Sequence, residues 1–249
     1  VPTVLSSYAQ VLRTPGARAF VAAGFVARLP MAMVGLGAVL LVRAASGSYA
    51  LAGAVSATFA LATALGPPQT GRLIDRFGQR RVLVPVLAVH VAGVVGLLAA
   101  VGLDAPRPLL FACALVAGAA YPAMGSLVRA RWTALLRGGP GLQTAFALES
   151  VLDDVIFVIG PVLATTLATT VAPAAGLVAA LAFVVGGGAA FAAQRATEPP
   201  VARGRRPGGT ALRIPGLAVL ALVLLGLGGV FGTLEVAMVA FAEGAATRR

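Results

Sequence analysis

Seven times along its 249 residues the sequence runs on with almost no charge, each time for the ~20 apolar residues that a helix needs to cross ~30 Å of hydrocarbon. The runs lie at about 19–42, 49–69, 82–101, 108–128, 145–170, 174–193 and 214–242. Inside a bilayer each backbone N–H and C=O must bond within its own segment or a closed barrel. The expected fold is therefore an all-α membrane protein, a polytopic helical bundle of about seven transmembrane helices. The first run is too long for a cleaved signal peptide. The longest connection, about 194–213, reads QRATEPPVARGRRPGGTALR, a polar linker.

Composition agrees: 59% of residues are hydrophobic and 11% charged, against about 25% charged in soluble domains. A cytosolic enzyme, a nucleic-acid module and a disordered tail are excluded. The net charge of +11 comes from arginine alone, with no lysine, and it follows the connections. With the N-terminus inside, the inner segments hold Arg13, Arg18, Arg72, Arg76, Arg80, Arg81, Arg129, Arg131, Arg137, Arg195, Arg203, Arg205, Arg206 and Arg213. The outer ones hold Arg43, Arg107, Arg248 and Arg249, and Arg28 lies within the first span. Fourteen against four places the N-terminus in the cytoplasm and makes the charge a topology signal, with some attraction to anionic inner-leaflet lipid. No nucleic-acid partner is expected, because no basic residues gather on one face. One cysteine, Cys113, and one histidine, His90, leave no disulfide framework and no metal site. No phosphate loop or nucleophile elbow is present, and neither cofactor nor enzymatic activity is expected.

Residues 71–83, between the second and third spans, read GRLIDRFGQRRVL. Gly71 permits close backbone approach and Gly78 a positive-φ turn. Asp75 can cap a helix or pair with an arginine. Gly71, Leu73, Asp75, Arg76, Gly78, Arg80 and Leu83 match G-x-L-x-D-R-x-G-R-[KR]-x-x-[LV], and the segment resembles the loop signature of the major facilitator superfamily. Gln79 replaces the first basic residue after the glycine, and Arg81 is the candidate to supply that charge. Phe157–Pro161 resembles the Gly-Pro of the antiporter motif, with Ala164 and Thr165 where a glycine pair follows. Arg129-Ala130-Arg131-Trp132 resembles actinobacterial members.

The resemblance implies two six-helix bundles, each of inverted three-helix repeats. Residues 1–193 would be the N-terminal bundle, 194–213 a cytoplasmic linker and 214–249 the first helix of an incomplete second bundle. Residues 24–36, GFVARLPMAMVGL, align without gaps on 229–241, GVFGTLEVAMVAF, where a repeat of the first helix as the seventh should fall. A truncated, non-transporting chain and a half-length subunit needing a second half-bundle, or a second copy of itself, both stay open.

Charges inside spans are functional candidates because hydrocarbon disfavours them unless they are paired or meet water. Arg28, ~13 Å into the first span, is either an anion or counter-ion site in a central cavity or an arginine snorkelling from a helix start shortened by Pro30. Glu149 and Asp153, four apart, share a helix face. Two ionised acids there repel, so one holds a proton more readily, as proton coupling requires. Asp154, rotated by about 100°, could instead pair with a loop arginine as a gate. Glu235, aligned with Pro30, could bind a cation, carry a proton with Arg28 as partner, or simply meet water. His90 is read as a helix–helix hydrogen bond. Pro30, Pro122, Gly160 and Pro161, with Gly118, are expected to allow kinks and close approach.

What the resemblance implies is secondary active transport of a small molecule by alternating access, with the 71–83 segment as cytoplasmic gate. Proton-coupled efflux across a bacterial plasma membrane is the first expectation, and uptake the second. A seven-helix receptor or membrane enzyme is the rival class.

Overall fold

A computed structural model describes residues 4–137, 139, 141–201 and 216–246, with the backbone alone at 4, 5, 231, 235, 236, 238–240 and 242–246. Seven spans among the described residues are long and apolar enough to cross a membrane. The chain divides into two units, Val1–Val201 and Ala202–Arg249.

In the first unit a short helix, α1 (Val4–Leu12), precedes the spans. The first span is two helices, α2 (Ala17–Arg28) and α3 (Pro30–Ser46). Then come α4 (Tyr49–Phe77) and α5 (Gln79–Gly102). The fourth span is again divided, into α6 (Arg107–Ala119) and α7 (Met124–Leu136). It is followed by α8 (Gly141–Thr170), α9 (Ala175–Ala193) and a 3-10 turn at Arg195–Thr197.

Both interruptions follow from proline, which brings no N–H. At Pro30 the Val26 carbonyl is met by Leu29 N–H instead, at 3.3 Å. At Pro122 the Gly118 carbonyl accepts from Tyr121 N–H at 3.0 Å. That leaves the Ala117 carbonyl without its helical donor, and His90 Nδ1 lies 2.7 Å from it. Gly160 and Pro161 make no such break: α8 runs through them without interruption. There Gly160 packs against Ala32, where an added Cβ would fall 2.7 Å from the Ala32 methyl.

Helix α2 packs on α9 as α5 packs on α6, and α3 packs on α8 as α4 packs on α6. Exchanging spans one to three for spans four to six leaves this pattern unchanged, as two three-helix repeats require. The α5–α6 seam closes because Gly93 has no side chain; a Cβ there would lie 2.5 Å from Ala117 N. Gly187 meets Ala27 in the same way across α2 and α9. Among the described residues the core forms three clusters. Phe20, Trp132 and Phe191 centre the first, Met33, Ile156 and Leu177 the second, and Val42, Val55 and Leu97 the third.

Among its described residues the second unit contains one uninterrupted helix, α10 (Leu217–Ala246). The aligned segment 24–36 breaks at Pro30, while 229–241 carries Glu235 there and stays helical. The Glu235 side chain lies outside the described residues.

Candidate functional site

Arg28 is the last residue of α2, at the break made by Pro30. Its guanidinium is 2% exposed and points inward. Nη2 lies 2.5 Å from Glu149 Oε2 and Nη1 lies 2.8 Å from Asp153 Oδ1, while Nε donates to the Gly24 carbonyl at 3.2 Å. Glu149 is fully enclosed and also accepts from Trp132 Nε1–H at 2.8 Å. Asp153, 21% exposed, holds a second arginine through its other oxygen: Arg129 Nη2 is 2.8 Å from Oδ2. Two cations and two anions thus join α2, α7 and α8, graded from an enclosed carboxylate to an exposed guanidinium.

This geometry changes several expectations. Arg28 does not snorkel, since its polar head is buried in ion pairs. Glu149 and Asp153 share a face, but Arg28 sits between them and offsets their repulsion. Asp154 is exposed and makes no ion pair among the described residues; the carboxylate that pairs with Arg129 is its neighbour Asp153. With Arg28 taken up by Glu149 and Asp153, the partner foreseen for Glu235 is already engaged.

A second arginine, Arg131, is 1% exposed, although the sequence places it in a connection. Nε donates to Gln79 Oε1 at 3.0 Å, and Nη1 to Thr197 Oγ1 at 2.8 Å and the Gln194 carbonyl at 3.1 Å. Nη2 donates to the Phe191 carbonyl at 3.1 Å, and the guanidinium carbon sits 3.7 Å from the Phe191 ring centroid. Gln79 in turn donates to the Leu127 carbonyl at 3.1 Å. One side chain from α7 therefore ties the start of α5 to the end of α9.

The 71–83 segment is hardly a loop. Gly71, Leu73, Asp75 and Arg76 lie in the final turns of α4, and only Gly78 stands between α4 and α5. Gly78 has φ +92° and ψ 158°, a region only glycine adopts readily. The close approach expected at Gly71 is not made, for a Cβ there would meet nothing within 4 Å. Asp75 is exposed, without an ion pair among the described residues, and caps no helix. The carboxylate at the start of α5 belongs to Glu198, whose Oε1 accepts from Arg80 N–H at 2.9 Å. Arg81 is exposed; the cation beside Gln79 is Arg131. A basic residue at position 79 would face that guanidinium, which is why an amide fits. Arg129, Arg131, Trp132, Thr197 and Glu198 join these centres without any sequence motif that marks them, although the run Arg129–Trp132 visibly interrupts apolar sequence.

A bundle of apolar spans, buried charge pairs at a broken first helix and a glycine-turned junction between the second and third spans coincide in one chain. The sequence profile of the Major Facilitator Superfamily matches residues 20–246. The chain belongs to this superfamily. No curated protein and no solved structure matches it. As a superfamily member it is a multi-pass membrane protein whose general function is secondary transport of a small molecule, not catalysis. Within this transporter, His90 is buried in a triangle of rings with Phe59, at 6.4 Å between centroids, and Tyr121, at 5.4 Å, and its Nδ1 meets the Ala117 carbonyl of α6.

Proposed function

We propose that this transporter is a proton-coupled exporter of a small organic molecule in a bacterial plasma membrane, of the actinobacterial type, with its N-terminus cytoplasmic. Asp153 is the coupling group. The observation that carries this reading is the bridge it forms, one oxygen on Arg28 of α2 and the other on Arg129 of α7, at 2.8 Å each. A proton on Asp153 removes the charge that holds both arginines, leaving Arg28 with Glu149 alone and Arg129 released. The equilibrium between two packings of α2 against α7 and α8 then depends on one proton. Glu149, enclosed and fixed by Trp132, is the permanent counter-charge. The α4–α5 junction is the cytoplasmic gate, with exposed Asp75, Arg76, Arg80 and Arg81 facing outward for a partner.

The domain reading belongs to the same proposal: a six-helix bundle over 1–193, a linker over 194–213 and the first helix of a second bundle over 214–249. The apolar side chains Leu61 and Leu65 of α4, with Phe157 and Val158 of α8, are well exposed. They offer a face for a second half-bundle, whether another chain or a second copy.

The test uses proteoliposomes of the protein holding a pH-sensitive dye and offered a panel of small organic cations and anions. Wild type should move protons when a transported compound is added, and Asp153→Asn should move the compound without protons. Compound movement without proton movement in wild type would overturn coupling. An unchanged proton signal in Asp153→Asn would remove Asp153 from the role.

A further inference from the structure

Between the ends of α4, α5 and α6, away from the ion pairs, the bundle carries a groove of about 550 Å³. That is within the ~300–1,000 Å³ typical of ligand clefts. Leu73 and Phe77 form one wall, Pro85 and Val89 the floor, and Val116 the other wall, with Arg81 at one end. Leu73 and Phe77 are four apart on α4, and Arg81, Pro85 and Val89 repeat at the same interval on α5, so each helix gives the groove one face. From Arg81 to Val89 the groove follows α5 for about 12 Å. The groove is open to its surroundings: Leu73 is 46% exposed, Phe77 43% and Val89 47%.

We propose that this groove binds an anionic phospholipid, one acyl chain lying along α5 and the headgroup phosphate on Arg81. Apart from Arg81 the lining is apolar but for the Thr70 hydroxyl, which already donates to the Pro67 carbonyl at 3.0 Å, so little in it holds water and hydrocarbon fills it. The charges at its mouth decide which hydrocarbon. Arg81 is the one charged residue in the lining, and it makes no ion pair or hydrogen bond among the described residues. Arg76 and Arg80 flank it, exposed. Asp75, two residues from both Leu73 and Phe77, is turned about 200° away from the groove. The N-terminal end of α5 is already met by Glu198, whose Oε1 accepts from Arg80 N–H, so the attraction for a phosphate rests on the arginine side chains. A packed protein helix would have to bring a carboxylate of its own to Arg81, whereas an anionic phospholipid places its phosphate at the level where its chain begins. Basic pockets between spans on the cytoplasmic side are suited to such headgroups. The leaflet rests on the orientation proposed above; the site itself does not.

The experiment places the photo-crosslinker p-benzoylphenylalanine at Val89 of the full chain, in proteoliposomes of phosphatidylglycerol and phosphatidylcholine mixed identically in both leaflets, so orientation does not enter. Mass spectrometry should find phosphatidylglycerol adducts enriched about five-fold over the bulk mixture, the effect of one interfacial arginine. The enrichment should disappear in Arg81→Gln and persist in Arg81→Lys and in the control Arg107→Gln. Soluble glycerol phosphate, lacking a chain, should not compete. Adducts in the bulk lipid ratio, or adducts to polypeptide from a second bundle or a second copy, would overturn the proposal. So would enrichment that survives Arg81→Gln.

Discussion

Helix α7 supplies partners to two buried arginine centres that solve the same problem in opposite ways. Arg131 hydrogen-bonds and stacks only on neutral groups, an amide, a hydroxyl, a ring face and two backbone carbonyls, and feels the Glu198 carboxylate through space alone. Those carbonyls, of Phe191 and Gln194, close the end of α9, where unpaired acceptors and the negative pole of the helix favour a cation. Arg28 meets two carboxylates. None of the groups hydrogen-bonded to Arg131 changes charge when a proton arrives, while Asp153, the partly exposed carboxylate on Arg28, can. The comparison teaches that burial alone does not mark a switch. Arg131 is a fixed staple between α5, α7 and α9, and Arg28 is the arginine whose grip can be loosened.

The sharpest way to break this contrast is Arg28→Ala. It leaves Glu149, 0% exposed, with Trp132 as its one remaining donor. Removing one partner of a buried pair costs ~3–5 kcal/mol, and thermal unfolding in lipid nanodiscs should show it. Replacing Glu149 by Leu at the same time should recover most of the loss, because the stranded charge goes too. A single-variant loss below about 1 kcal/mol, the worth of an exposed pair, would mean that the pair is not sealed.

Arg131→Ala should come next, at about 2–3 kcal/mol, because it leaves several buried acceptors unsatisfied. Here no second substitution should rescue the protein, since two of the acceptors are backbone carbonyls. Recovery by Gln79→Leu alone would show that the staple rests on one bond rather than on α9.

The apolar spans were legible because hydropathy and length decide them, and Pro30 and Pro122 were legible as interruptions. Gly160–Pro161 was not, since whether a proline divides a helix depends on its neighbours; Gly160 is pinned against Ala32 and α8 continues. The pairing of Arg28 with Glu149 was hidden because spacing fixes which residues share a helix face and not which helix lies opposite. Arg131 looked like a connection residue because hydropathy falls at Arg129, yet α7 runs on to Leu136. Glu198 sits in a Pro-rich stretch whose composition says linker, and only the fold brings it to the start of α5. The junction itself was half legible: Gly78 turns the chain as its sequence suggests, while Asp75 leaves the capping to a residue far along the chain.

The smallest expected effect is the one that sharpens the comparison most, because it separates two neighbouring aspartates. Asp153 and Asp154 differ by about 100° around α8, and that rotation takes one into the arginines and the other to the exposed face. Asp154→Asn should change stability by no more than about 0.5 kcal/mol, as exposed substitutions do, and leave the proton signal of the proteoliposome assay as in wild type. Asp153→Asn keeps the shape of the side chain and one acceptor oxygen but loses the negative charge and the acceptor for the second arginine, and it should lose the proton signal. If the two variants behave alike, position on the helix is not what selects the coupling residue, and Arg28 would join Arg131 as a staple.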